Sequence, residues 1–280
     1  MTLPTFLGIG VPRAGTTWLH TLLTGHPEVY LPEKRKEVRF FDRHFDRGLG
    51  WYEGFFCPDG EAHRYRAIGE ISPQYFYCDE CPSRISQTLP NIKLVLMLRH
   101  PVDRAYSNYG FAVQRRNYRG SFREFVDSRP QALEKGLYSA HLRRYLRVFD
   151  RSRILALLFE EAVGDGDVVR GAVARFLEVP AEGFPVSVGK VNASTVPRHG
   201  SLSNLAVKTG RTLRRNHLEP LVDIGARLGI RRLITKGDPL PKLDAELKRE
   251  LSRGYEAEFD EVEALIDIDL SAWRLEKDRA

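Results

Sequence analysis

A glycine-rich turn near the N-terminus has the composition of a phosphate-binding loop. Residues 10–17 read Gly-Val-Pro-Arg-Ala-Gly-Thr-Thr. The turn follows an apolar run at residues 5–11, which predicts a strand, and leads into residues 16–23, which have the apolar spacing of a helix. Between a strand and a helix, backbone N–H groups and the helix dipole can together hold a phosphate. The loop therefore predicts an anionic, phosphate-bearing ligand.

The loop departs from that of nucleoside-triphosphate enzymes in the position of its cation. The glycine spacing matches, but Thr16 stands where such loops carry lysine, and the basic residue is Arg13 inside the loop. The clearest apolar strand, residues 93–98, ends in Arg99 rather than in the aspartate that a Mg²⁺ site would use. A nucleotide with a single 5′-phosphate fits these residues better than a triphosphate does.

A second anion site is predicted where strand 93–98 meets the helix that follows it. Arg99 ends the strand, Pro101 suits the first turn of a helix, and Ser107 lies eight residues beyond Arg99. A guanidinium and a hydroxyl at such a junction can bind a phosphate. Since ligands of open α/β sheets lie at the carboxyl ends of strands, this junction and the glycine-rich loop should be neighbours. Two separate phosphates describe a 3′,5′-bisphosphorylated adenosine.

The elements that must position these residues alternate along the chain, which predicts an α/β fold with a parallel sheet. We expect three layers: a central parallel sheet, helices on both of its faces, and a P-loop-like strand–loop–helix unit. The other predicted elements are a strand at 154–159 and helices at 138–149, 167–177 and 243–259. With 280 residues and a hydrophobic fraction of 42%, the chain suits a single domain spanning residues 1–280.

Composition narrows the partners and the location. The formal net charge of +6 favours anionic ligands. Eight Lys and Arg residues fall in segment 205–236, where they form either solvated helix faces or a surface for an acidic acceptor. No apolar run approaches the ~20 residues of a membrane span, and the first residues lack the pattern of a secretion signal. We expect a cytoplasmic protein with no membrane span, no nucleic-acid partner and three reduced cysteines.

Two stretches resemble motifs of the sulfotransferases that use 3′-phosphoadenosine-5′-phosphosulfate (PAPS). Residues 11–19 look like the family's 5′-phosphosulfate loop, and residues 98–107 look like its 3′-phosphate motif. The resemblance runs from residue 5 to about 178 and resumes at 270–273. It implies a site for PAPS and for its product, 3′,5′-bisphosphoadenosine (PAP). The residues that it implies for cosubstrate binding are Arg13, Ala14, Gly15, Thr16, Thr17, Trp18, Arg99, Ser107 and, in a loop matched more loosely, Arg198.

Two of these residues carry specific expectations. The resemblance implies that Trp18 contacts the adenine, and a tryptophan of the hydrophobic core is the alternative. Arg13 stands where many relatives carry lysine. A guanidinium keeps its proton at working pH, so Arg13 can neutralise charge on a leaving phosphate oxygen but cannot act as a general acid.

Residues 37–42 and 48–52 resemble the heparan-type branch of the family, the glycosaminoglycan O- and N-sulfotransferases. In that branch the glutamate before the paired aromatics is the catalytic base, which implies this role for Glu37. A positioned carboxylate can take the proton that an attacking hydroxyl loses. Rival bases are His44 and Glu70, and Glu70 could instead orient the loop from below. Ile71 departs from the branch, because heparan-type relatives carry a lysine there.

We therefore expect a sulfotransferase that moves a sulfuryl group from PAPS to an acceptor hydroxyl or amine by in-line displacement, without a metal. The acceptor would be a sugar, another glycan-like molecule or a small molecule, and Glu37 and Arg13 are the predicted catalytic residues. One alternative is a P-loop kinase that phosphorylates a small metabolite with ATP. Another is a non-catalytic protein that binds a nucleotide or an acidic polymer. The sequence leaves the acceptor and the oligomeric state open.

Overall fold

The central layer of the protein is a five-stranded sheet in which every pairing is parallel. The computed structural model describes residues 2–186, 188, 195–197 and 237–274. The strands of the sheet are β1 Phe6–Gly10, β2 Val29–Tyr30, β3 Ala67–Ile71, β4 Lys93–Leu98 and β5 Ile154–Leu158. Their order is β2-β3-β1-β4-β5, so later strands add on opposite sides of β1. The crevice between β1 and β4 is therefore a topological switch point, where α/β proteins bind ligands.

Two short strands form a separate antiparallel pair. They are β6 Thr195–Pro197 and β7 Gly237–Pro239. Arg198 and the basic segment 205–236 lie outside the described residues. The expectations for them stay predictions.

Apolar side chains bury both faces of the sheet. On β4, Leu94, Leu96 and Leu98 belong to one hydrophobic cluster, while Val95 and Met97 belong to the other. Successive side chains of a strand point to opposite faces, so a continuous apolar run is typical of a parallel strand covered on both sides. The predicted three-layer α/β architecture is confirmed.

Helices form the two outer layers. The described α-helices are α1 Thr16–Thr24, α2 Leu49–Glu53, α3 Cys81–Thr88, α4 Pro101–Arg116, α5 Phe122–Ser128, α6 Gln131–Glu134, α7 Ser139–Leu146, α8 Phe159–Gly164, α9 Gly166–Leu177, α10 Ala245–Ser252 and α11 Glu256–Ile266. Leu22 of α1 and Val173 of α9 pack in the smaller cluster. Val102 of α4, Leu142 of α7 and Val262 of α11 pack in the larger one. Because the helices cover the faces of the sheet, the loops that follow the strands lie at its carboxyl edge.

The elements that surround the candidate phosphate sites match their predictions closely. β1, α1, β4 and α9 lie where the apolar patterns place them. The strand predicted at 154–159 ends one residue earlier, because Phe159 begins α8. The helix predicted at 138–149 is shorter, and α7 ends at Leu146. Strands β2 and β3 were not predicted, since β2 has only two residues and Glu70 interrupts the apolar pattern of β3.

The helix predicted at 243–259 is two helices. A 3-10 turn at Arg253–Tyr255 separates α10 from α11, and Gly254, a poor helix former, lies within it. The apolar repeat nevertheless faces the core: Leu247 packs partly buried against the larger cluster, and Phe259 is fully buried in it. The periodicity predicted the buried face correctly and the continuity of the helix wrongly.

Cys78 and Cys81 are joined by a disulfide at the start of α3. The expectation that all three cysteines are reduced is therefore wrong for this pair. Two cysteines separated by two residues can close a short loop, and α3 begins at the second of them. Cys57 is buried outside the disulfide. Among the described residues, no helix is both long and apolar enough to cross a membrane.

Candidate active site

The glycine-rich loop connects β1 to α1 beside the end of β4. The Val11 N–H donates to the Met97 carbonyl at 2.7 Å, which joins the start of the loop to β4. Gly15 precedes α1 with a φ of 84°, and no side chain caps the helix. A side chain is also excluded at Gly15, since a Cβ there would lie 2.4 Å from the Phe159 ring. The first N–H groups of α1 thus lack a side-chain acceptor, as an anion site requires.

Arg13 occupies the middle of the loop with a φ of 76°. Its guanidinium lies over the ring of Phe111, 3.8 Å from the centroid. Burial lowers the pKa of Arg13, the nearby Glu37 carboxylate opposes that shift, and Arg115 and Arg116 add to it. A guanidinium remains charged in spite of such a shift. Arg13 therefore brings a fixed positive charge close to Glu37.

Arg99 follows β4 directly and reaches the same loop. Its Nη1 donates to the Arg13 carbonyl at 3.2 Å, and its guanidinium lies 4.5 Å from the centroid of the Phe159 ring. The Tyr138 hydroxyl donates to the Arg99 carbonyl at 2.7 Å and so holds the backbone. Burial lowers the pKa of Arg99. Among the described residues, the buried Arg99 Nε has no hydrogen-bond partner.

Two acids, Asp103 and Glu160, act on the pKa of Arg99, and each accepts a hydrogen bond from another group. Asp103 accepts from the Lys248 ammonium at 2.7 Å. Glu160 accepts from the His100 N–H at 3.0 Å. A buried guanidinium with an unused N–H is unfavourable unless an anion completes its hydrogen bonds. Arg99 therefore has the properties of a phosphate ligand.

Ser107 lies half-buried on α4, two turns beyond Arg99. Residues four apart share a helix face, so Ser107 lies on the same side of α4 as Phe111, against which Arg13 stacks. The sheet and this helix face thus bring the two predicted anion sites together at the β1–β4 crevice.

Phe159 is a residue of this site that the sequence reasoning missed. Its ring lies against both Gly15 and the Arg99 guanidinium. The apolar run at 154–159 predicts it as the last residue of a strand. The signal was available, because a residue that follows a parallel strand adjacent to β4 must lie at the ligand-binding edge of the sheet.

The buried carboxylate of Glu70 holds the loop that carries Glu37. Glu70, at the end of β3, is fully buried. Its Oε2 accepts from the Ser72 hydroxyl at 2.6 Å and from the Val38 N–H at 3.2 Å. Its Oε1 accepts from the hydroxyls of Tyr75 at 2.6 Å and Tyr52 at 3.1 Å. Four donors from three segments thus converge on one side chain.

This network decides between the two roles considered for Glu70. Burial raises the pKa of Glu70, and the hydrogen bonds from Ser72, Tyr75 and Tyr52 oppose that shift. A carboxylate that has no exposed surface and already binds four hydrogen-bond donors cannot reach the molecule that accepts the sulfuryl group. The geometry therefore matches the orienting role, in which Glu70 fixes the backbone next to Glu37 from below. Ser72 adds to this, since its hydroxyl accepts from the Arg39 N–H at 2.9 Å.

Glu37 itself is half-buried and lies between two cations. Its carboxylate acts on the pKa of both Arg13 and the adjacent Lys36, raising each against the effect of burial. The rival base His44 lies at the end of a π-helical turn, with its ring 5.0 Å from that of Trp51. The arrangement gives Glu37 a charged partner in the phosphate loop, which a catalytic carboxylate at this site would need.

The other predicted residues lie around the same loop. Ala14 is fully buried, and Thr16 is 8% exposed in the first turn of α1. Trp18 is 7% exposed and packs in the smaller hydrophobic cluster. The Thr17 hydroxyl accepts a hydrogen bond from the Lys36 ammonium at 2.6 Å. In the sequence Lys36 is one of several charges around Glu37, and its contact with Thr17 is visible only in the structure.

Comparison with known proteins agrees with this geometry. The family described as "Sulfotransferase domain" matches residues 3–260, and the chain belongs to that family. Mouse heparan sulfate glucosamine 3-O-sulfotransferase 6 is 36% identical over 184 residues, which is 62% of this chain and 52% of that protein. Human bifunctional heparan sulfate N-deacetylase/N-sulfotransferase 3 is 32% identical over 197 residues, 63% of this chain and 22% of that protein.

A solved structure matches along nearly the whole chain. The sulfotransferase from Alicyclobacillus acidocaldarius has a TM-score of 0.66 and 26% sequence identity, and the match covers 98% of this chain and 100% of that one. The predicted resemblance to sulfotransferases, and to their heparan-type branch, is confirmed. The chain spans about half or less of the length of the curated heparan sulfate relatives that it matches.

Replacing the buried carboxylate tests the orienting role of Glu70. Glu70→Gln keeps the shape but turns an amide N–H₂ towards hydroxyl or N–H donors. We expect the free energy of unfolding in urea to fall by about 1–3 kcal/mol. The exposed Glu61→Gln is the control and should stay within about 0.5 kcal/mol of the wild type. Equal stability of the two variants would show that the network does not hold the loop.

Proposed function

We propose that this protein transfers a sulfuryl group from PAPS to a hydroxyl group of a glycan-like acceptor. One observation carries the proposal. The β1–α1 loop and Arg99 lie together at the switch point of the sheet as two candidate anion sites, and the half-buried Glu37 acts on the pKa of Arg13 in the first of them. Membership of the sulfotransferase domain family supports the same reaction class.

The residues at the two anion sites fit the cosubstrate. The uncapped N-terminus of α1, with Gly15, Thr16 and Thr17, would hold the 5′-phosphosulfate. Arg99 would hold the 3′-phosphate with its guanidinium, and Ser107 would add a hydroxyl from the same face of the crevice. Trp18 stays the proposed adenine contact, but its ring packs in the smaller hydrophobic cluster, so only its exposed 7% could touch the base.

The chain's own residues then have distinct roles in the transfer. As the acceptor oxygen bonds to sulfur, Glu37 takes the proton that the hydroxyl loses. As the bond between sulfur and the bridging oxygen breaks, the electron pair stays on the 5′-phosphate of PAP. In this proposal Arg13 and the N–H groups of α1 would stabilise that charge. The proton, the sulfuryl group and the leaving phosphate are thus accounted for without a metal.

Exposed cations lie near the candidate site. Arg115 and Arg116, at the end of α4, are exposed and close enough to Arg13 to influence its pKa. Such a surface suits an acceptor that bears carboxylate or sulfate groups. The two relatives above are named for O- and N-sulfation of heparan sulfate, which supports a glycan acceptor and keeps an amine as the alternative nucleophile.

The two rival functions have less support. A kinase would need a lysine in place of Thr16 and an acid in place of Arg99. A non-catalytic binding protein would have no use for a carboxylate placed next to Arg13. The single domain, the cytoplasmic location, and the absence of a metal and of a nucleic-acid partner stay predictions.

Removing the proposed base separates catalysis from binding. Glu37→Gln preserves the size of the side chain but cannot accept a proton. We expect the transfer rate in a radiolabelled-PAPS assay with a heparosan-type acceptor to fall by about 100-fold or more. The PAP affinity should be unchanged. Glu33→Gln, an exposed neighbour on the same loop, is the matched control. Normal turnover of the Glu37 variant would remove it from the mechanism.

Removing the proposed 3′-phosphate ligand tests cosubstrate specificity. In Arg99→Ala we expect the affinity for PAP to fall about 10- to 100-fold, because a charge-assisted contact is lost. The affinity for 5′-AMP, which has no 3′-phosphate, should be little changed. Calorimetric titration measures both, with the exposed Arg147→Ala as the control. If Arg99→Ala still prefers PAP to 5′-AMP as strongly as the wild type, Arg99 does not bind the 3′-phosphate.

A further inference from the structure

Lys36 joins the loop that carries Glu37 to the phosphate loop. Its ammonium donates to the Thr17 hydroxyl at 2.6 Å, in the first turn of α1. No side chain of the described residues caps this helix, so the ammonium lies at a helix end whose first N–H groups have no side-chain acceptor there. The cation that belongs to the glycine-rich loop itself, Arg13, stacks against Phe111. Lys36 thus supplies a positive charge at the helix N-terminus from outside the loop.

The surroundings of the Lys36 ammonium are partly buried and, in the part of the chain that the structure describes, contain few competing charges. The side chain is half-buried, and burial lowers its pKa while Glu37 opposes the shift. His20, one turn along α1, has a pKa lowered to about 4 by its own burial and by the charge of Lys36. The imidazole is therefore neutral near pH 7. Among the described residues, Lys36 therefore contributes a cation at the first turn of α1.

Hydrogen bonds hold the backbone that follows Lys36. Val38 N–H donates to Glu70, and Arg39 N–H donates to Ser72. Consecutive Cα atoms lie about 3.8 Å apart, so a fixed ammonium at Lys36 and a fixed amide at Val38 restrict Glu37 between them. A group bound by Lys36 would therefore be held at a defined position relative to the Glu37 carboxylate.

We propose that the Lys36 ammonium binds the 5′-phosphate of the cosubstrate together with the N-terminus of α1, and so sets the position of Glu37 relative to the sulfur that is transferred. Thr17 supports it, because an oxygen that accepts from Lys36 still has a hydrogen to donate to the same phosphate. Lys36 thereby takes the place of the lysine that the glycine-rich loop lacks at Thr16. This assignment rests on the proposed function.

Three substitutions test the assignment. Lys36→Gln keeps a polar hydrogen-bond donor on a slightly shorter side chain but removes the charge, and Lys36→Arg restores the charge. Lys34→Gln removes a charge from an exposed position on the same loop and is the control. The ligands are PAP and 3′-AMP, which differ only in the 5′-phosphate, and calorimetric titration measures the affinity for each.

We expect Lys36→Gln to bind PAP about 10- to 100-fold more weakly than the wild type and to bind 3′-AMP equally well. Lys36→Arg should recover most of the PAP affinity, which a merely structural role would not require. Lys34→Gln should match the wild type with both ligands. In the transfer assay, Lys36→Gln should also lower kcat, because the Glu37 carboxylate is no longer held at a defined position relative to the sulfur.

The outcomes separate this assignment from the function on which it rests. Wild-type protein that binds PAP no better than 3′-AMP would overturn both. If the wild type prefers PAP and Lys36→Gln keeps that preference, or loses affinity for both ligands equally, the role of Lys36 is wrong and the proposed function stands.

Discussion

The parallel pairing of β1 with β4 is the constraint on which the candidate site depends. The Val11 N–H bonds to the Met97 carbonyl, and the Arg99 guanidinium bonds to the Arg13 carbonyl, so the two loops that leave these strands lie against each other. The apolar side chains on both faces of β4 hold this pairing inside two hydrophobic clusters. The separation between the two anion sites is therefore a property of the sheet rather than of flexible loops.

A second constraint links that sheet to the proposed base. Glu70 lies on β3, the other neighbour of β1, and its carboxylate fixes the backbone just after Glu37. A charged group in the core is unfavourable unless its hydrogen bonds are complete, and four donors complete them here. The central sheet therefore positions the phosphate loop, the proposed base and Lys36 together. Transfer between two bound molecules needs such fixed relative positions.

Much of this could be predicted from the sequence, since the informative signals were local. The glycine-rich turn and the strand ending in Arg99 indicated both anion sites, and the topological rule indicated that they should be adjacent. The three-layer fold followed from the alternation of apolar runs and helical patterns. The resemblance of residues 37–42 to a known branch singled out Glu37, which composition alone would have left within a run of charges.

What could not be predicted depends on contacts between distant segments. Glu70 broke the apolar pattern of β3, so the strand was missed, and its partners became visible only when Tyr52 and Tyr75 came together in space. The sequence places Lys36 among several cations beside Glu37, but nothing in it shows that this ammonium reaches Thr17. The disulfide between Cys78 and Cys81 was likewise not predicted, since a spacing alone does not show the oxidation state.

The most direct test of the central claim is a parallel calorimetric titration of the wild-type protein with PAP, 5′-AMP and ATP–Mg²⁺. If there are two anion sites at the β1–β4 crevice, PAP should bind most tightly. 5′-AMP should bind more weakly, because it fills only one site. ATP–Mg²⁺ should bind no more tightly than 5′-AMP. Preferential binding of ATP–Mg²⁺ would contradict the account and would make the loop at Thr16 that of a kinase.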